Sequence, residues 1–409
     1  MIISLPIIII LAVLLVLALI TPLFSPFSRK VKAENVLDGT DGDTENNTLQ
    51  PVSIILAEHD CSRYLERVIP LYMSQEYPAD YQVIVVIDQS DAKSEEYLKI
   101  MCEKHPQLYY TLLPDSSRYV NRKKAGMTLG IKAAKHEWML FADANCQPTS
   151  DKWLEAVARH CDDKHNMVLG MTPYDEDTPK YYRFEHLRTM LYHLRRAQKG
   201  MAFSTNHSLV MIRRSEFFNE RGFLGNLEYA RAEFEFLVNK FAKEGKCAIA
   251  IEPEARMEQP GPSEEYIKMK RLFAIDALKS LQRAGGFKSL YKLDLFTMHM
   301  FNILSLIAMI CGGLLTTATM MPDVLPLADI LPSMPLMQYD GMALLGGAAL
   351  AWLISLIERM FIYSSKLDYF DSVGPLSAIT MEWTISIRNM FLRLSYIFAD
   401  KNDFITHKL

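Results

Sequence analysis

Hydrophobic and polar positions divide the chain into three regimes. Residues 2–24 carry no charged side chain, a run long enough for the helix of ~20 residues that crosses a hydrocarbon layer. No basic stretch precedes it and no small-x-small cleavage site stands out before Arg29. The run therefore reads as an uncleaved anchor rather than a signal peptide. From Val52 onward, short apolar runs at 52–57, 83–88, 109–113 and 138–142 alternate with helically periodic stretches at 62–74, 94–105 and 123–134. In the first of these helices Tyr64, Leu65, Val68 and Leu71 fall on one face. Such alternation predicts βαβ units and an α/β domain with a mostly parallel central sheet. Further short strands are expected at 167–171, 208–212 and 248–251. The third regime holds two more uncharged runs, 295–321 and 341–357. Both read as membrane helices, the second extending through Tyr363 with Glu358 and Arg359 at the interface or bundle side. Residues 376–398 repeat apolar groups at Ile379, Trp383, Ile387, Met390, Phe391, Leu394, Ile397 and Phe398, with Arg388 and Arg393 interleaved. This predicts a C-terminal amphipathic helix, lying in the membrane interface by preference or packed in a core.

Charge adds orientation. Arg29, Lys30 and Lys32 follow the first span, and the 322–340 loop carries Asp323, Asp329 and Asp340 but no Lys or Arg. Positive flanks prefer the cytoplasm, so the expected arrangement is a multi-pass protein of the inner or plasma membrane with a cytoplasmic central domain. Residues 33–51 are polar and acidic and read as a linker. The predicted organisation is an anchor at 1–28, a linker at 29–51, a cytosolic domain at 52–290, a transmembrane hairpin at 291–366 and an amphipathic segment at 367–409. A net charge of −4 offers no global basic surface, which excludes nucleic acid as the main partner. The six cysteines stand singly and form neither zinc pairs nor a disulfide framework, as fits a reducing compartment.

Asp143-Ala-Asn145-Cys-Gln-Pro148 follows the apolar run at 138–142. Open parallel sheets bind ligands beyond the carboxyl ends of their strands, and these side chains offer oxygens to a hard cation or a sugar hydroxyl. A plain strand-end turn has the same composition. What raises the functional reading is an ordered set of motifs over roughly 52–274, in which the chain resembles the membrane-associated family 2 glycosyltransferases built on a GT-A nucleotide-binding domain. Val52-Ser-Ile-Ile-Leu-Ala-Glu-His-Asp60 occupies the place of that family's first strand and Asn-Glu pair, with His59-Asp60 at the pair. Val86-Ile-Asp88-Gln-Ser90 resembles its Asp-x-Ser. Arg122-Lys-Lys-Ala-Gly-Met-Thr-Leu-Gly-Ile131 resembles the helix leading into the metal-binding strand, and Asp143-Ala-Asn145 falls on Asp-x-Asp with an amide for the second acid. Phe203 to Arg214 resembles the segment lining the sugar site, Ser204 standing where a Gly is common.

The resemblance implies a nucleotide-sugar donor bound by Ala57, Glu58, Asp60, Asp88, Lys124 and Asp143. It further implies Mg²⁺ or Mn²⁺ on Asp143 and Asn145, and a saccharide or lipid-linked acceptor. Arg231-Ala-Glu-Phe-Glu-Phe-Leu-Val-Asn239 best fits its last acidic motif, placing the catalytic base at Glu233. The chemistry asks for such a group: in a single in-line displacement one carboxylate takes the acceptor's proton as the anomeric bond breaks. The stretch 266–273 lacks the Gln and Trp of the Gln-x-x-Arg-Trp motif, which implies a non-processive enzyme. Lys270 and Arg271 within it suit either diphosphate oxygens or a basic helix near the membrane. Residues 180–199, basic and aromatic, suit an anionic lipid-linked acceptor or a solvated helix face. Two rival readings are a nucleotidyltransferase and a membrane scaffold that has lost its chemistry.

Overall fold

The computed structural model of the chain describes residues 3–25, 28, 49–57, 62–114, 121–200, 202–229, 231–261, 263–281, 285–321, 339–364 and 374–399. They form two compact units, one from the described residues of 1–30 and 285–387, the other from those of 31–284 and 388–409. The helices are α1 (Leu5–Ile20), α2 (Ser62–Met73), α3 (Ala92–Lys104), α4 (Arg122–Ala133), α5 (Trp153–Ala158) and α6 (Lys180–Gln198). They continue as α7 (Arg214–Asn219), α8 (Glu233–Phe241), α9 (Glu264–Ala277), α10 (Gly285–Met320), α11 (Asp340–Ser364) and α12 (Pro375–Phe398).

The strands are β1 (Val52–Ala57), β2 (Tyr81–Asp88), β3 (Leu108–Leu113), β4 (Trp138–Ala142), β5 (Gln147–Pro148), β6 (Met167–Leu169), β7 (Val210–Arg213), β8 (Cys247–Ile249) and β9 (Met257–Glu258). Seven of them make one sheet in the order β3-β2-β1-β4-β7-β6-β8. Its β3-β2-β1-β4 half is parallel throughout, as is the β6/β8 pair, and β7 runs antiparallel to both β4 and β6. The mostly parallel sheet expected from the alternation is present. All residues of β1 and β4 are buried, which is why they read as continuous apolar runs: helices cover both faces of such a sheet. The β3 to β4 crossover places the first turn of α4 at the carboxyl ends of the strands. Gly130 lets α4 lie close, since a Cβ there would stand 2.6 Å from Ile55 Cγ2.

In the other unit, Leu5–Phe24, Leu293–Met320 and Asp340–Ser364 are long and apolar enough to cross a membrane. Gly312 admits the close approach of α11 to α10, because a Cβ there would stand 2.5 Å from the Leu345 backbone nitrogen; small residues serve this purpose where helices meet in lipid. Arg359 faces the bundle interior. Its Nη1 donates to Glu382 Oε2 at 2.8 Å and its Nη2 lies 3.9 Å from Asp294 Oδ1, all three residues being buried. Charges inside such a bundle persist when paired.

Candidate functional site

Three chain segments meet at the carboxyl end of the parallel strands. The first is the end of β2. Asp88 accepts a hydrogen bond from Arg122 Nε at 2.9 Å, and the pair borders a shallow cleft lined also by Ala57, Val86, Leu113 and Gly126. One apolar wall and one ion pair suit a flat heterocycle with polar edges. Ala57 and Asp88 of the expected nucleotide contacts line this cleft; Glu58 and Asp60 lie outside the described residues.

The second segment follows β4. Asp143 is buried and ion-paired with Lys123 of α4. Burial pushes its carboxyl up, but the charges of Lys123, Lys270 and Arg231 outweigh that and hold it below the ordinary range. Asn145 stands two residues further on, and Gln259 Nε2 lies 3.5 Å from Asp143 Oδ2 and 3.4 Å from Asn145 Oδ1. Burial, and then Asp143, push the adjoining Cys146 thiol up to about 12, so it stays a thiol whose Sγ lies 3.2 Å from Ser208 Oγ. The oxygens of Asp143 and Asn145 suit a hard divalent cation. Among the described residues no group of three His, Cys, Asp or Glu is placed to hold a metal, so a cation here relies on carboxamide oxygens.

The third segment comprises residues 226–229 and 231–233, the last of these opening α8. Sequence points to Lys124 as a donor contact, yet the adjoining Lys123 is the lysine on Asp143. Lys124 is fully buried and its Nζ donates to the Asn226 carbonyl at 2.7 Å, to that of Tyr229, and to that of Arg231 at 3.5 Å. Burial holds its pKa down to about 8 against the pull of Glu233 and Glu235. Asn121 works beside it, its Oδ1 capping α4 at the Lys124 N–H (3.0 Å) and its Nδ2 donating to the Tyr229 carbonyl (3.0 Å). Together they fasten the stretch that delivers Glu233. The residue before Glu233, Ala232, takes a left-handed φ of 69°, a conformation costing a non-glycine residue ~1–2 kcal/mol.

Glu233 is the first residue of α8. It is 4% exposed, and its Oε1 is buried with no hydrogen-bond partner among the described residues. Burial pushes the neighbouring Glu235 up to about 7. Lys123 ties the segments together: while paired with Asp143, its Nζ stands 5.4 Å from the ring centroid of Phe234.

On α9, the charge of Lys270 acts on Asp143, Glu235 and His186, whereas Arg271 is ion-paired with the buried Glu185 of α6. The α6 face is not a solvated one, since Glu185, His186 and Arg188 are all buried. Tyr174 stacks on His186 with ring centroids 4.1 Å apart. Arg122, Lys123 and Gln259 are the site residues that sequence reasoning did not single out.

Residues 53–222 match the family model described as Glycosyl transferase family 2. No curated protein matches the chain at a significant level. Among solved structures, the mannosyltransferase PcManGT from Pyrobaculum calidifontis, in complex with GDP-Man and Mn²⁺, is 16% identical to this chain. That match covers 85% of this chain and 99% of the other, with a TM-score of 0.45. S. aureus TarS 1-349 in complex with UDP-GlcNAc is 13% identical, covering 83% and 92% respectively, with a TM-score of 0.41.

Proposed function

We propose that this chain, a glycosyltransferase whose family 2 domain spans residues 53–222, moves a sugar from a nucleotide-sugar to a saccharide or lipid-linked acceptor at a membrane. The transfer inverts the anomeric centre and is not processive. The observation that carries this reading is Glu233 Oε1, a buried carboxylate oxygen without a hydrogen-bond partner among the described residues, in a domain where cations hold Asp143 ionised.

The base and ribose of the donor enter the cleft at Ala57 and Asp88, and the diphosphate lies toward Asp143, Lys123 and Lys270. Asp143 and Asn145 would hold a divalent cation, Mg²⁺ or Mn²⁺, which would supply positive charge against that of the departing nucleoside diphosphate. The acceptor hydroxyl attacks the anomeric carbon as its bond to the diphosphate oxygen breaks, and the hydroxyl proton passes to Glu233. A single displacement with one base inverts the centre. Lys123 stabilises negative charge where it develops, and Lys124, through the carbonyls it holds, keeps Glu233 at the acceptor side.

Membrane attachment is supported by the three apolar helices, and the basic residues after the first of them favour a cytoplasmic site. In the last turns of α12, Met390, Phe391, Leu394, Ile397 and Phe398 are exposed by 42% to 85%, a stripe suited to the bilayer interface. Tyr396 secures these turns to α9, its hydroxyl donating to Asp276 Oδ1 at 2.7 Å.

A donor screen reading released nucleoside diphosphate, with and without Mg²⁺ or Mn²⁺, tests the proposal. Acceptor-dependent release of nucleoside diphosphate is expected. Release of pyrophosphate would instead identify a nucleotidyltransferase, and donor binding without turnover on any acceptor would identify a scaffold.

A further inference from the structure

We infer that Gln259 is a ligand of the divalent cation, its carboxamide oxygen joining those of Asp143 and Asn145. The cation and the donor diphosphate then bind as a pair rather than separately. This rests on the reading above that Asp143 faces the donor diphosphate.

Gln259 reaches the site by a local device. β5 begins two residues after Asn145 and pairs antiparallel with β9 in the register Gln147 to Glu258 and Pro148 to Met257. The same register carries Gln259 to the level of Cys146. Its backbone is fixed there, the N–H donating to the Pro173 carbonyl at 3.0 Å and its own carbonyl accepting from the Asp175 N–H at 2.9 Å. The side chain is buried, and Nε2 straddles Asp143 Oδ2 at 3.5 Å and Asn145 Oδ1 at 3.4 Å. A terminal atom facing both oxygens from 3.4 Å and 3.5 Å stands where a third oxygen would share a cation with them. The amide torsion is broad and roughly two-fold. A half-turn about it exchanges Nε2 for Oε1 and converts a group that fills the gap into one that coordinates.

Charge then sets the order of binding. The three oxygens carry one formal negative charge, on Asp143, and Lys123 is paired with it. Affinity for a hard cation rises with the ligands' charge count, so this shell alone holds a dication weakly. A nucleoside diphosphate supplies the missing negative charge and also draws the Lys123 ammonium, which frees the carboxylate.

The test uses the full chain in detergent micelles. Mn²⁺ binding is read from the loss of its free electron-spin resonance signal, alone and with UDP, GDP, ADP, CDP or dTDP, and nucleotide binding is read by calorimetry. The wild type is expected to bind Mn²⁺ at least about tenfold more tightly with its preferred nucleotide than without. Gln259→Ala is expected to lose about 10- to 100-fold of the nucleotide-dependent Mn²⁺ affinity, the range typical when groups supporting a metal site are removed. Gln259→Glu adds the missing charge and is expected to bind Mn²⁺ without nucleotide, a gain that a misfolded chain cannot mimic. Wild-type Mn²⁺ binding in both variants would overturn the role of Gln259 while leaving the donor site standing. If no nucleotide binds the wild type, or Asp143→Ala leaves nucleotide and Mn²⁺ binding unchanged, the donor-site reading fails and this inference with it.

Discussion

On the strand side of the site, Asp88 and Asp143 each meet a cation from the first turn of α4, Arg122 and Lys123. On the helix side Glu233 is just as buried, yet its Oε1 has no hydrogen-bond partner among the described residues. A buried polar group left unpaired costs ~1–3 kcal/mol, and more when charged. The contrast separates two tasks. A carboxylate paired with a mobile cation can exchange that cation for a ligand, which suits binding. A carboxylate with one buried oxygen left without a partner among the described residues, on a helix whose entry is clamped by Lys124, suits accepting a proton from whatever hydroxyl reaches it.

The sharpest way to break this comparison is to remove the two adjacent lysines separately. Lys123→Ala should weaken donor binding by roughly 10- to 100-fold, as expected for a hydrogen bond to a charged group worth ~1.5–3 kcal/mol, with little change in melting temperature. Lys124→Met should do the reverse: nucleotide affinity stays near wild type, while denaturant unfolding shows a loss of ~2–4 kcal/mol from the carbonyls left unsatisfied. Equal effects of the two variants on calorimetric donor affinity would dissolve the distinction between binding and clamping.

That distinction was not legible in the sequence, and the reason is helical phase. Consecutive residues of α4 point about 100° apart, so one of two neighbouring lysines faces Asp143 and the other the carbonyls of Asn226, Tyr229 and Arg231. The contact of α4 with β1 at Gly130 fixes which is which. Strands β1, β2 and β4 were legible because burial on both faces leaves a nearly unbroken apolar run, the part-exposed edge strand β3 was legible through its tyrosines and leucines, and Asp88 and Asp143 were legible as acids ending apolar runs. The reversed direction of β7 leaves no mark on composition. Gln259 was invisible for another reason: it is separated from Asp143 by 116 positions and is brought back by a ribbon of two two-residue strands, too short for periodicity to reveal. Glu233 stood out only through the resemblance, since Glu228 and Glu235 are equally plausible by carboxylate counting.

A smaller effect should appear in pH dependence. Burial raises Glu235 from 4.5 to about 7, so between those values the folded chain holds a proton that the unfolded chain releases. Stability contributed by this group is therefore greatest at low pH and falls as pH rises from about 4.5 to 7. Glu235→Gln should flatten that part of a melting-temperature profile by a few degrees while leaving the limb below pH 4 unchanged. A profile identical to wild type would place Glu235 in a more solvated setting than its burial implies.

The smallest effect concerns the turn before the base. Ala232→Gly relieves the left-handed backbone at φ 69°, and after the entropy cost of glycine a net stabilisation of ~0.5 kcal/mol is expected from denaturant unfolding. Turnover should fall by about two- to threefold as the entry to α8 loosens, in keeping with the sensitivity of rate to small misplacements.

The most direct test of the account is Glu233→Gln, with transfer rate and donor affinity measured on the same preparation. The account predicts a fall in turnover of roughly 10²–10⁴-fold, the usual contribution of a general base, with nucleotide affinity within about threefold of wild type and an unchanged melting temperature. Turnover at the wild-type rate would contradict it.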